Sequence, residues 1–216
     1  MWSDAWVDNT GAATYIVGHW DYPDNTVKPV YVVSNGEDVE LFLNGKSLGH
    51  GKRDYNFLFT FDNVAFRAGK LEAVSYDASG KEASRYSIET AGEPAQLRLT
   101  TIENPAGFHA DGADMALVQV EVTDSEGRRC PLDNRIINFT LDGPAEWLGG
   151  IAQGDNNYIL SQDLPVECGI NRALIRSTTD AGRITVTAKA DGLPSESVSL
   201  NTVCLLYTSP SPRDIS

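Results

Sequence analysis

The chain has 216 residues, 41% of them hydrophobic and 22% charged, with 17 Lys and Arg against 30 Asp and Glu and a formal net charge of −13 at pH 7. That acidity excludes a nucleic-acid backbone or an anionic membrane surface as partner, because both demand a basic patch that releases counterions. No apolar run approaches the ~20 residues that cross a bilayer, and the length suits one large domain or two of about 100 residues, each able to bury a core unaided.

In chain order, residues 1–8 show no basic stretch leading into an apolar one, so no export signal is expected in this chain. Asp8-Asn9-Thr10-Gly11 separates two apolar flanks. Residues 30–33 open the first regular run. Val39, Leu41 and Leu43 share one face of a strand that ends at Asn44-Gly45, the dipeptide that tolerates the two positive φ angles of a type I′ hairpin turn. The return strand is expected near Lys46. Further strands fall at 57–61, 71–76 and 86–88, with Ala68-Gly69 and Ala78-Ser79-Gly80 as turns between them. These define a first β-sandwich domain at 30–90.

Ala91-Gly92-Glu93-Pro94 supplies a linker, and alternation then restarts. Leu97 and Leu99, Val118, Val120 and Val122, and Ile184, Val186 and Ala188 each alternate with polar neighbours. One buried and one wet face per strand is what an antiparallel sandwich requires. With strands at 136–141, 173–176 and 198–200, residues 91–203 make a second domain. The fold class is therefore all-β: two tandem immunoglobulin-like β-sandwiches behind an N-terminal segment.

Cys130, Cys168 and Cys204 lack C-x-x-C spacing, which argues for structural thiols and against zinc or thioredoxin-like chemistry; a Cys130–Cys168 disulfide stays open. There is no G-x-S-x-G elbow, phosphate loop or H-E-x-x-H, and His19, His50 and His109 stand alone. No catalytic, cofactor-binding or metal-binding residue is assigned, and no cofactor is expected. Asp111-Gly112-Ala113-Asp114 and Asp155-Asn156-Asn157 carry oxygen ligands without the spacing of a calcium loop. Two aromatic–polar clusters have the composition of a sugar site: Trp20 and Tyr22 around Asp21, and Trp147 with Asp155, Asn156 and Tyr158. Aromatic faces stack on sugar C–H faces while Asp and Asn fix hydroxyls. The competing reading makes both tryptophans core residues and Asp-Asn-Asn a turn.

The run from Val39 to Gly49, VELFLNGKSLG, resembles a segment that follows the catalytic barrel in glycoside hydrolase family 2 enzymes of the β-galactosidase type. Trp2-Ser3-Asp4 and Ile16-Val17-Gly18-His19-Trp20-Asp21-Tyr22-Pro23 resemble the stretch that leads out of that barrel. Leu71-Glu72-Ala73-Val74-Ser75-Tyr76-Asp77 and Ile88-Glu89-Thr90-Ala91-Gly92-Glu93-Pro94 continue the likeness, and from Ala95 on the chain is similar to the family's C-terminal immunoglobulin-like domain. The resemblance implies a parent that hydrolyses β-galactosides or related β-glycosides with two glutamates of a (β/α)₈ barrel, which would lie before Met1 and takes ~250 residues. This chain would then be an accessory part whose partner is that missing barrel. It would support the barrel, shape substrate access or mediate oligomerisation, with carbohydrate as a further candidate ligand. The resemblance also implies a bacterial parent, periplasmic or secreted, and leaves this chain's own compartment unassigned.

On the same reading residues 1–29 are the exit segment from the barrel. Trp2, Trp6, Ile16 and Val17 would then lie exposed without it, and trimming to about Val27 should leave both sandwiches folded. Residues 204–216, CLLYTSPSPRDIS, resemble translated sequencing-adapter read-through and are expected to lack a strand partner. Two other functions fit the same composition: an independent carbohydrate-binding module, and an adhesive immunoglobulin-like repeat.

Overall fold

Among residues 11–151 and 156–204, which the computed structural model describes, every regular element is a β-strand, and the chain divides between Ala91 and Gly92 into two units. The first contains β1 (Thr14–Ile16), β2 (Val27–Ser34), β3 (Asp38–Leu43), β4 (Lys46–His50), β5 (Lys52–Tyr55), β6 (Leu58–Ala65), β7 (Lys70–Tyr76) and β8 (Glu82–Glu89). They pair as two antiparallel four-stranded sheets, β1-β2-β6-β5 and β4-β3-β7-β8. In immunoglobulin lettering this is A-B-E-D facing C′-C-F-G. Val39, Leu41 and Leu43 alternate inward on β3 and meet Val30, Val32, Phe59, Phe61, Leu71 and Ala73 in one core.

The Asn44-Gly45 turn has φ of 51° and 78° at its two central residues, as the dipeptide predicts, and β4 starts at Lys46. The Asn44 side chain also ties a second turn in place: its Nδ2 donates to Ala68 O at 3.0 Å and its Oδ1 accepts from Lys70 N at 2.8 Å. Gly69 sits directly beneath it with φ +128°, and a Cβ there would lie 2.0 Å from Asn44 Oδ1. Gly69→Ala is therefore expected to destabilise the first unit by about 1–3 kcal/mol, from backbone strain plus displaced hydrogen bonds. Urea unfolding checks this; an unchanged midpoint would show that the Asn44 clasp yields freely.

Residues 14–22 belong to this unit and not to a separable exit segment. β1 pairs with β2 from Thr14↔Ser34 to Ile16↔Val32, and both Ile16 and Trp20 are only 1% exposed. The strand is three residues long, too short to show a period, and Trp20 lies in a loop. Hydrogen bonds hold the loop: Trp20 Nε1 donates to Arg67 O (3.0 Å), Thr90 Oγ1 to Trp20 O (2.7 Å), and Ala91 N to Asp21 Oδ1 (2.8 Å). Val17 is 48% exposed, so the expected exposure holds for it and fails for Ile16. Trp2 and Trp6 lie outside the described residues.

The second unit contains β9 (Gln96–Ile102), β10 (Met115–Thr123), β11 (Ile136–Asp142), β12 (Ala145–Gly149), β13 (Asp163–Pro165), β14 (Ile170–Ser177), β15 (Arg183–Lys189) and β16 (Glu196–Asn201). Its antiparallel sheets run β12-β14-β10-β9 and β13-β11-β15-β16. Val118, Val120 and Val122 in one sheet and Ile137, Phe139, Ile184 and Val186 in the other are fully buried, the inward half of each alternating strand. Cys130 is buried and Cys168 exposed, and the two are not joined in a disulfide. Cys204 is exposed, and the remainder of the tail, 205–216, lies outside the described residues.

Candidate functional site

The Trp20 cluster forms no open sugar platform. Trp20 is closed in by Phe66 (ring centroids 5.3 Å) and by the edge of Tyr22 (6.1 Å), which leaves no ring face for a ligand. Tyr22 is half-buried, stacked on His19 at 4.6 Å and capped by Lys28, whose Nζ donates to its hydroxyl at 2.6 Å. Trp147 is half-buried too: its Nε1 donates to Ser161 O at 2.7 Å and its ring packs on Phe139 at 5.3 Å. Asn156 is exposed, Tyr158 is half-buried, and Asp155 lies outside the described residues. In the neighbouring loop Asn157 Oδ1 accepts from Ile159 N at 3.0 Å, which makes a turn.

The histidines and acids likewise close on their own surroundings. His50 Nδ1 pairs with Asp38 Oδ2 on one exposed sheet face, and His109 Nδ1 lies 3.2 Å from Asp114 Oδ2 in the second unit. Asp111 Oδ1 accepts from Ala113 N and Asp114 N, so its oxygen serves its own turn, and those backbone donors hold its carboxyl below the usual range. Asp124 is the most perturbed carboxylate. Burial pushes it up, but hydrogen bonds from Gly92 N (2.7 Å), Arg128 Nε (2.7 Å), Arg128 N (2.9 Å) and Glu126 N (2.9 Å) outweigh that and bring it to about 2. All four donors hold the turn at Asp124 and the first residue of the unit, so this is a structural carboxylate.

One surface departs from the rule that a sandwich is wet outside. On sheet β12-β14-β10-β9, Leu117 and Leu174 point away from the core, and with Leu148 and Ile170 they floor a groove of about 790 Å³. Ile159 and Leu160, 62% and 64% exposed, form its wall. The opposite sheet presents Arg183, Thr185, Thr187, Ser197 and Ser199 outward as a hydroxyl ladder, with Thr187 and Ser197 2.8 Å apart. Sequence reading missed this apolar face. Its signal is the loss of alternation in β10 and β14, where Leu117 and Leu174 stand at wet-face positions.

Two antiparallel sandwiches, with polar clusters that secure turns and an apolar outer face, define a tandem β-sandwich module. A family profile described as "Glycoside hydrolase family 2 C-terminal domain 5" matches residues 98–199, and one described as "Domain of unknown function (DUF4982)" matches residues 25–84. A protein named β-glucuronidase from Formosa agariphila is 43% identical over 88% of this chain, and β-galactosidase BoGH2A from Bacteroides ovatus is 30% identical over 89%. A solved β-glucuronidase structure from glycoside hydrolase family 2 superposes with a TM-score of 0.84 at 41% identity, covering 90% of this chain and 20% of that one. The chain spans about a fifth of the curated relatives, 19% and 22% of their lengths. It belongs to glycoside hydrolase family 2, as the non-catalytic C-terminal region of such an enzyme.

Proposed function

We propose that this chain is the supporting C-terminal part of a longer polypeptide that hydrolyses β-glycosides, with bond cleavage carried out by a barrel outside these residues. The observation that carries the reading is the 43% identity over 88% of the chain to a β-glucuronidase of which it spans only 19%. Names of the relatives point to terminal β-glucuronides or β-galactosides as substrate class. Support for an independent sugar-binding module weakens at the first aromatic cluster, because Trp20 offers no open ring face.

The apolar face of the second unit is the surface by which this part would dock on the rest of the polypeptide, the four-fifths of the relatives' length that the chain does not span. Burial of side chains such as Ile159 and Leu160 contributes ~1.5–3 kcal/mol each. Both are exposed here, and Leu160 has φ of 62°, a region that Asp tolerates better than Leu. Ile159→Asp with Leu160→Asp is therefore expected to lower the thermal midpoint of the full-length polypeptide and its retention of β-glycosidase activity on heating. The isolated chain carrying the same pair should unfold as before. Equal behaviour of both full-length proteins would remove this face from the docking surface.

A further inference from the structure

A second cleft lies wholly within the first unit and has no part in the docking argument. It has a volume of about 630 Å³, within the ~300–1,000 Å³ range of small-molecule sites. Leu48 on β4, 41% exposed, gives it an apolar side with the core residue Val64 of β6 behind, and Lys46, Asp62, Asn63 and Arg67 also line it. Among the described residues none of these four polar side chains makes a hydrogen bond or ion pair. Several other arginines and lysines of this acidic chain pair with carboxylates, among them Arg53 with Glu37, Lys70 and Arg85 with Glu72, Arg98 with Glu121, and Arg135 with Asp133.

The backbone places the four deliberately. β6 slips register against β2 between Lys28 and Val30, and this bulge turns the consecutive residues Asp62 and Asn63 to the outside, with Asn63 at φ 56°. Bulges re-aim side chains in this way. Arg67 is fixed by the bond from Trp20 Nε1 to its carbonyl, and Lys46 by the Asn44-Gly45 turn before it. The site is anchored at both ends by features already central to the fold.

The lining selects a ligand chemistry. Two cations without carboxylate partners call for an anion, and a planar guanidinium suits a carboxylate in particular. Asp62 would repel a simple anion yet accepts hydrogen bonds from hydroxyls, and Asn63 can both donate and accept. The exposed Leu48 side chain suits a C–H face. From this combination we infer that the cleft binds a sugar carrying a carboxylate, a uronic acid residue, with its acid group on Lys46 and Arg67 and its hydroxyls on Asp62 and Asn63.

Amide chemical shifts of the isotope-labelled chain, titrated with sodium glucuronate, glucose and inorganic phosphate, test this. Glucuronate should move the amides of Lys46, Asp62, Asn63 and Arg67 and bind at least about tenfold tighter than either other probe. Lys46→Gln and Arg67→Gln should each weaken glucuronate about tenfold, the scale of one charge-assisted contact. Asp62→Asn should weaken glucuronate while improving phosphate. All three side chains are exposed, so folding is retained, and the unperturbed amide spectrum of each variant verifies that. Glucose matching glucuronate, phosphate matching it, shifts confined to other residues, or no shifts with any probe would each overturn the assignment. None of these outcomes bears on whether the longer polypeptide is a glycosidase.

Discussion

Trp20→Ala is expected to destabilise the first unit by about 3–5 kcal/mol, the scale for emptying a fully buried aromatic site. The side chain is 1% exposed, touches Phe66 and Tyr22, and its Nε1–H is the donor that fixes Arg67. Alanine would leave a cavity and an unsatisfied carbonyl together. Urea unfolding followed by far-UV signal gives the value, because each small unit is expected to unfold cooperatively. Deleting residues 1–26 removes β1 and Trp20 at once and should abolish that unit's cooperative transition. A shift below about 1 kcal/mol for the point variant, or an unaltered transition in the deletion, would return this segment to the status of a dispensable leader.

The second large effect falls on the other unit. Asp124 is 1% exposed, and its carboxylate accepts from Gly92, Glu126 and Arg128. Its pKa is lowered from 3.8 to about 2, so the folded state favours the ionised form. The stabilisation is present in full above the unfolded value and is lost as pH falls through about 2. It amounts to about 2 kcal/mol. Asp124→Asn should therefore lower stability at neutral pH by about 2–4 kcal/mol, since Arg128 loses its buried partner, and should flatten the acid limb of stability against pH. An acid limb identical in variant and parent would show that another carboxylate governs it.

What the sequence made legible, and what it hid, follows from element length and from which faces are wet. Val39-Leu41-Leu43 and Ile184-Val186-Ala188 alternate over several residues, and each is a strand with that face buried. Asn44-Gly45 carries its turn in its own backbone preferences. Four strands escaped reading. β1 and β13 have three residues each, β5 is exposed throughout as Lys-Arg-Asp-Tyr, and β12 is broken by a register shift between Trp147 and Gly149. Trp20 read equally well as core or as platform, because a loop tryptophan shows no period; its burial depends on Phe66, 46 residues further along the chain. The polar cleft had one sign in the sequence, the consecutive Asp62-Asn63 between Phe61 and Val64, and the pairing with β2 turns that interruption into a bulge.

The claim that cleavage chemistry lies outside this chain is tested most directly by turnover. Purified chain and full-length polypeptide, at equal molar concentration, are offered nitrophenyl β-glucuronide and nitrophenyl β-galactoside, and release of nitrophenol is followed. The account predicts hydrolysis of at least one substrate by the full-length protein and none above buffer by this chain. Hydrolysis by the chain alone, abolished by replacing one of its own Asp or Glu residues, would contradict it.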